Sequence, residues 1–378
     1  MILKDGIRLA ALAALATAMG SCSLMHDDLA PCATQPKTRT AVSFVYDYNA
    51  DSRDSFADEV GGVTLYVFDS EGKLIRSEEQ TLLSGADGTR LPAAPVTLDL
   101  APGDYDFYAV AHASSGYTAS IEGTGAKFRR ADGFGTGSAA ADYIIRLDQT
   151  AGNVAHAGST LEDLWMTLSP AHLTVTEAPI PAEGAAQPDD VVLGVTVPLM
   201  RVTNHLDLTL VREMAAPSAP RAASATRAGL DDPVDTRDYE VWIETGSGRD
   251  ALGLTGDAHT SATPLRYTPY SVDPLTAQTD RMKALFSTSR IIYSADDTRA
   301  DVLCVKSAIT GTVNRINLGR TLSAAIPPSS DWTPQEFLDR TKDFQVTVAF
   351  NETDDGFRYI EINIPVLNWT KRIQNLDL

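Results

Sequence analysis

The stretch Val96-Thr97-Leu98-Asp99-Leu100-Ala101-Pro102-Gly103-Asp104-Tyr105-Asp106-Phe107-Tyr108-Ala109-Val110-Ala111 decides the reading of the fold. Val96, Leu98 and Leu100 share one face of an extended segment. Tyr105, Phe107, Ala109 and Ala111 do the same on the segment that leaves it. A period of two marks strands, and a helix would need apolar residues three and four apart. Between them, Pro102 presets φ and Gly103 accepts a wide range of backbone angles, so the pair makes a turn. Strand, turn and strand predict a hairpin.

Upstream, Val63–Asp69 (VTLYVFD) is apolar on both faces, which predicts a strand buried on both sides. Ser70-Glu71-Gly72-Lys73 makes a turn and Leu74–Ser77 begins the return strand. In Ala41–Tyr48, the residues Val42, Phe44, Tyr46 and Tyr48 fall on one face, another strand. Asp51–Glu59 has room for a helical turn or two. Downstream, residues 121–140 are Gly-rich and polar and predict a long loop. Strands are expected at Tyr143–Leu147, Leu164–Leu168, Val191–Val197, Asn204–Val211, Tyr239–Glu244, Arg290–Tyr293, Val302–Val305, Thr312–Leu318, Phe344–Phe350 and Tyr359–Ile364. One helix carries start signals: Thr333 as N-cap, Pro334 at the first helical position and Glu336 at the third. A second short helix is expected over Thr276–Leu285, and Ala215–Asp232 reads as a surface loop. Pro179–Asp190 (PIPAEGAAQPDD) holds three prolines and is the best linker. The fold class is therefore all-β: two tandem β-sandwich domains with a few short helices, over residues 41–180 and 191–378.

The chain has 378 residues, and 50 Asp and Glu against 31 Lys and Arg give a net charge of −19. Such a chain repels nucleic-acid phosphates and is not drawn by charge to an anionic membrane. Three Cys are too few for a disulfide framework. The start is more specific. Lys4 and Arg8 form a basic region, and Leu9–Ala18 (LAALAALATA) is an apolar run far shorter than the ~20 residues a membrane span needs. Gly20, Ser21 and then Cys22 complete the layout of a bacterial lipoprotein signal over residues 1–21. The alternative is a plain secretory signal with an incidental Cys. An acylated Cys22 makes residues 22–40 a lipidated tether. Asp27 and Asp28 read either as a surface-export signal or as a solvated spacer. No other stretch reaches 18 apolar residues.

Chemistry is sparse. His26, His112, His156, His172, His205 and His259 show no i,i+2 or i,i+4 pairing that would spell a metal site. There is no G-x-S-x-G elbow and no P-loop. Gly133-Phe134-Gly135-Thr136-Gly137 lacks the strand and helix start of a phosphate cradle and reads as loop. Asn351–Gly356 begins like a calcium loop, but Ile362 stands where the bidentate Glu is required. Asp354-Asp355-Gly356 is better read as a hairpin turn. Cys32 and Cys304 can pair in an oxidising envelope, or Cys304 can remain a buried thiol. No cofactor, metal or small-molecule substrate is indicated, and no pair of carboxylates is marked as acid and base.

Several runs resemble the anchor lipoproteins of FimB-type fimbriae. They are Cys22 with His26-Asp27-Asp28-Leu29 and Cys32, then Val42–Asn49, then Asp54, Phe56 and Glu59-Val60, then Val63–Asp69 with Gly72. Pro102-Gly103 with Tyr105, Leu164-Trp165, Leu199-Met200-Arg201-Val202-Thr203-Asn204-His205-Leu206, Phe337-Leu338-Asp339-Arg340 before Phe344 and Val346, and Asn368-Trp369-Thr370 continue the likeness. Pro365-Val366-Leu367 and the stretch around 215–260 depart from it. The resemblance implies two transthyretin-like Greek-key sandwiches, an outer-membrane lipid anchor exposed at the cell surface, and a place at the base of a fimbrium. It also implies pilin subunits as partners. Pilins of this kind polymerise when one subunit's strand completes the next subunit's sheet. A subunit that keeps its lipid-linked first strand has no open groove, so it would end growth and hold the fibre. Arg39 stands where cleavage would free the chain, or is an ordinary tether residue. The tail residues Val366, Leu367 and Trp369 either fold back on the C-terminal domain or are offered to a pilin. Two other roles stay open: a fimbrial structural subunit or tip adhesin, and a surface glycan-binding lipoprotein.

Overall fold

The segment Gly62–Phe68, apolar but for Thr64, is buried at every residue, and the reason is that both of its faces carry a core. Val63, Leu65 and Val67 point into one apolar cluster, and Tyr66 and Phe68 into another. The computed structural model describes residues 37–84, 88–113, 128–154, 160–178, 190–213, 239–246, 249–260, 264–273, 281–307, 310–351 and 357–374. Its main strands are β1 (Thr38–Val45), β2 (Gly62–Phe68), β3 (Leu74–Thr81), β4 (Val96–Leu98), β5 (Gly103–His112), β6 (Leu164–Thr167), β7 (Ala171–Val175), β8 (Val191–Arg201), β9 (Thr203–Glu213), β10 (Tyr239–Glu244), β11 (Arg281–Ser289), β12 (Val302–Ser307), β13 (Val313–Asn317), β14 (Asp343–Asn351), β15 (Phe357–Ile364) and β16 (Trp369–Gln374). Short helices are α1 (Phe56–Glu59), α2 (Leu318–Ser323) and α3 (Pro334–Arg340).

The first sandwich packs the sheet β3-β2-β5, continued by β6 and β7, against β8-β1-β4. Val42, Phe44, Tyr46, Leu65, Phe107, Trp165 and Val197 fill the space between. β8 belongs to both layers. Val191–Pro198 pairs with β1 in parallel, and Leu199–Arg201 pairs with β6. The second sandwich packs the sheet β11-β9-β14-β15-β16 against β10-β12-β13. Leu206, Leu208, Phe286, Val348, Ile360 and Ile362 meet Val241, Ile243, Leu303 and Val305 inside it. The fold is thus all-β, with sandwich layers and few helices.

Three expectations need correction. The segments joined by Pro102-Gly103 do not form a hairpin: β4 pairs with β1, while β5 pairs with β2, β6 and β7. The turn carries the chain across the core from one layer to the other, and the Tyr105 hydroxyl locks it by donating to the Ala101 carbonyl at 2.8 Å. Leu98 and Phe107 reach the same core from opposite sides, so the period-two pattern is satisfied without pairing. Arg281–Leu285, expected at the end of a helix, lies in β11. There Met282, Ala284 and Phe286 alternate inward, and the strand is laddered to β9 and to Ser271–Asp273. Arg290–Tyr293, expected as a strand, has no ladder partner among the described residues and instead follows β11 toward α3.

The two halves exchange elements. Ile145–Leu147 pairs with Arg249–Leu252, and Asn153–Val154 runs parallel to Arg266–Tyr267. β8, which follows the proline-rich linker, pairs with β1. The Gly133–Gly137 loop is pinned by Phe134, whose ring meets Tyr66 at 5.7 Å and Tyr143 at 4.9 Å. The hairpin turn expected at Asp354-Asp355-Gly356 lies outside the described residues, though its flanking strands β14 and β15 pair antiparallel as that turn requires.

Candidate functional site

The fate of the first strand bears most directly on function. β1 begins at Thr38, so Arg39 is a strand residue and not part of a free tether. Arg39 lies 3.3 Å from Asp190 and 4.0 Å from Asp99. β1 is flanked on both sides, by β8 along its whole length and by β4 over Thr40–Val42. Its inward residues Thr40, Val42 and Phe44 are buried. Extracting it would break two ladders and open the first core. Just beyond it, Tyr46 is buried against Trp165 in an edge-to-face contact at 5.8 Å, and burial pushes its hydroxyl pKa up.

A second feature joins the sandwiches. The turn from β8 to β9 places Arg201, Thr203 and His205 against Asp163, which precedes β6. Arg201 Nη2 donates to Asp163 Oδ1, and Arg201 Nε donates to Thr203 Oγ1 at 3.0 Å. His205 stands between two carboxylates, Nε2 at 3.4 Å from Asp163 and Nδ1 at 3.3 Å from Asp343. Burial pushes the Asp343 carboxyl up, but the His205 hydrogen bond and the charges of Arg201, His205 and Lys342 outweigh it, so its pKa is lowered. Lys342 pairs with Glu59 of α1. Arg340 of α3 lies 4.1 Å over the Tyr48 ring and donates to the Asn49 carbonyl at 3.4 Å. The runs Leu199–Leu206 and Phe337–Arg340 therefore form the joint between the two sandwiches. Sequence reading found them as resemblance but had no signal for what they touch.

A third feature is the tail. Pro365–Leu367 makes a single tight turn, Asn368 adopts φ 48°, and β16 folds back along β15 in the register Ile364↔Trp369 to Tyr359↔Gln374. Trp369, Leu367 and Ile373 pack on the second core, while Val366 is 52% exposed. Within the single chain the tail is thus laddered to its own domain. The outer side of β16 has no partner strand among the described residues.

Cys22, Asp27, Asp28 and Cys32 lie outside the described residues. Cys304 is fully buried, and burial pushes its thiol pKa up to about 12. Among the described residues, no three His, Cys, Asp or Glu side chains converge as a metal cage, and no helix is long and apolar enough to cross a membrane.

The first strand is laddered on both sides, the sandwiches interlock and the tail is paired. A family model for fimbrillin-A associated anchor proteins Mfa1 and Mfa2 matches residues 29–375. The chain belongs to this family. The fimbrial anchor protein Mfa2 of Porphyromonas gingivalis superposes with a TM-score of 0.56 at 17% identity, covering 90% of this chain and 99% of that one. A candidate adhesin of Bacteroides thetaiotaomicron gives 0.61 at 22% identity, covering 92% and 100%. A candidate polysaccharide-binding protein of the same organism gives 0.63 at 21%, covering 90% and 99%. At these identities the likeness concerns the fold. None of the curated proteins matches the chain. Membership in the Mfa2 family makes the protein a fimbria-associated structural component of the cell surface.

Proposed function

We propose that the protein is an outer-membrane lipoprotein that holds a fimbrium at its base and limits its length through strand-mediated contact with pilin subunits. The observation that carries this reading is β1. The lipid on Cys22 would lead through a short tether into a strand that is laddered on both sides and buried on its inner face. Pulling on the tether loads a whole sandwich, as an anchor requires. A subunit that keeps this strand also has no vacancy where it lies, so it does not extend the polymer in the way a processed pilin does. Asp27 and Asp28 fit an export signal that would place the domain on the outer surface.

A structural pilin or tip adhesin would be processed beyond the tether, and cleavage at Arg39 would have to cut inside the paired β1. A glycan platform would need exposed aromatics on one face. Instead Trp165 and Trp242 are buried, and Trp332 and Trp369 pack on the second core. The test is Cys22→Ala in cells, read by fatty-acid labelling and by fimbriae in the medium. The anchor reading expects no label and shed fimbriae; label equal to the parent, or fimbriae that stay cell-bound, defeats it.

A further inference from the structure

The two ends of β1 have different attachments. Its Thr38 end continues the segment that begins at Cys22. Its Val45 end leads straight into the joint: Tyr46 packs on Trp165, and Tyr48 and Asn49 meet Arg340 of the second sandwich. β8 runs in the same sense. Val191 stands beside Thr38 and Pro198 beside Val45, eight residue pairs in parallel. Three residues on, Arg201 donates to Asp163 at the joint, and Val202 alone separates β8 from β9 of the second sandwich. The tether and the second sandwich thus hold this strand pair at opposite ends.

That arrangement decides how a pull is resisted. Force between the tether and the second sandwich draws β1 one way and β8 the other, along their common axis. The bonds of a parallel ladder are evenly spaced. Loaded along the strands they share the force and must fail together. Pulled apart sideways from one end, the same bonds fail one at a time. The phase of the ladder is fixed by the Val191 N–H, which donates to the Lys37 carbonyl at 3.0 Å. The N–H groups of Arg39, Ala41 and Ser43 therefore face β8, while Thr40 and Val42 stand opposite Leu98 and Val96 of β4. The tether end is reinforced. Asp190 accepts from the Lys37 N–H at 3.0 Å and lies 3.3 Å from Arg39, and the Thr38 hydroxyl donates to the Thr176 carbonyl at 3.0 Å. On the inner face Val42 and Phe44 sit in the first core, and a slip of β1 by one residue turns both out of it.

We infer that β1 and β8 form a shear clamp, a device that keeps the first sandwich folded when the lipid holds one end of the protein and the fibre pulls on the other. This rests on the anchor reading above, which supplies the load, and it assigns that load to one strand pair. The parallel sense is what makes the clamp. An antiparallel partner in the place of β8 would leave the ladder at the tether end, and the same pull would then open the pair from there, bond by bond.

Force-clamp measurements on single molecules decide it. The non-acylated chain from residue 22 onward carries Cys32→Ser, with one DNA handle on the Cys22 thiol and the other on an introduced thiol; Cys304 is fully buried. Gln345→Cys places that thiol in β14, opposite Asp207 of β9, so the pull enters at the joint end of β8. Val192→Cys places it at a 62% exposed position of β8, opposite Arg39, so the pull opens the pair from its tether end. At one force the 345 handle should give lifetimes at least about tenfold longer than the 192 handle, because forced opening follows the unfolding barrier and a shared backbone bond adds to it. Ser43→Pro removes one N–H from the β8 side. It should shorten the 345 lifetime about tenfold and leave the 192 lifetime, set by the first pairs to open, unchanged. A variant that merely loosened the fold would shorten both. Equal lifetimes for the two handles, or a Ser43→Pro effect on both alike, overturn the clamp, while the anchor reading keeps its own test in Cys22→Ala. If Ser43→Pro fails to fold, the two handle positions in the parent decide alone. If Cys22→Ala leaves fimbriae attached, the clamp has no load to resist and the inference falls with the anchor reading.

Discussion

Arg290 and Asp339 meet fork to fork: Nε donates to Oδ1 and Nη2 to Oδ2, both at 2.7 Å. The Asp339 side chain is 4% exposed and Arg290 16%, so water screens little of this pair. Arg290 follows β11 and Asp339 sits in α3, whose next residue, Arg340, reaches Tyr48 of the first sandwich. The pair thus fixes the helix that joins the two halves. Gln335 adds to it, donating from Nε2 to Asp339 Oδ1 at 3.0 Å.

Asp339→Ala should therefore destabilise the protein by about 3 kcal/mol, because it leaves a guanidinium buried without its counter-charge. Urea unfolding of residues 37–378 measures this. The paired change Asp339→Leu with Arg290→Met should recover much of the loss, since removing both charges leaves no orphan. A single substitution costing under about 0.5 kcal/mol would mean the pair is solvated in solution.

The joint should respond to acid. Asp343 is held below the usual carboxylate range, so the folded state binds its proton less readily than the unfolded chain does. The stability it contributes is fully present above the unfolded carboxylate value of about 3.9 and is lost as pH falls through the lower folded value. Unfolding free energy should then drop below about pH 4, and Asp343→Asn should flatten that limb. His205→Gln should flatten it too, because it removes the main hydrogen bond that lowers the Asp343 value. An unchanged acid limb in both variants would remove Asp343 from the account.

Cys304 lies in β12 between Leu303 and Val305, fully buried, with its thiol pKa raised to about 12. Thiolate is the reactive form, and almost none exists at pH 8. Residues 37–378 carry this one cysteine. Ellman's reagent should therefore find no reactive thiol in the native protein and one per chain after denaturation. Prompt labelling of the native protein would show that the strand opens readily.

What could be read in advance follows from what a period of two encodes. It marks strands and faces, so β2, with apolar residues on both faces, was legible as a strand between two cores. It says nothing about which strand is the partner, and so the turn at Pro102-Gly103 looked like a hairpin when it is a crossing between layers. Arg281–Leu285 was expected at the end of a short helix; tertiary ladders on both sides of β11 decide for strand. The Thr333 cap was legible because capping is local, and its hydroxyl accepts from the Glu336 N–H at 3.2 Å. The joint was not, because Asp163, His205 and Asp343 are far apart in sequence and meet only once the sandwiches dock.

The tail separates two roles by a single deletion. β16 is laddered to β15 over six residue pairs, and Trp369 and Ile373 rest on the second core. Removing residues 366–378 exposes the apolar row Ile360, Ile362 and Ile364 of β15 at a new edge, which invites aggregation. The expected outcome is a chain that unfolds several degrees earlier or accumulates poorly in the membrane. Trp369→Ala is the milder probe and should destabilise by about 2 kcal/mol, less than a fully buried aromatic because the ring is only partly covered. If instead the truncated protein remains as stable as the parent and reaches the membrane, the tail is dispensable to its own domain. Detached fimbriae in that strain would then assign Val366, Leu367 and Trp369 to a pilin contact, and normally attached fimbriae would exclude it.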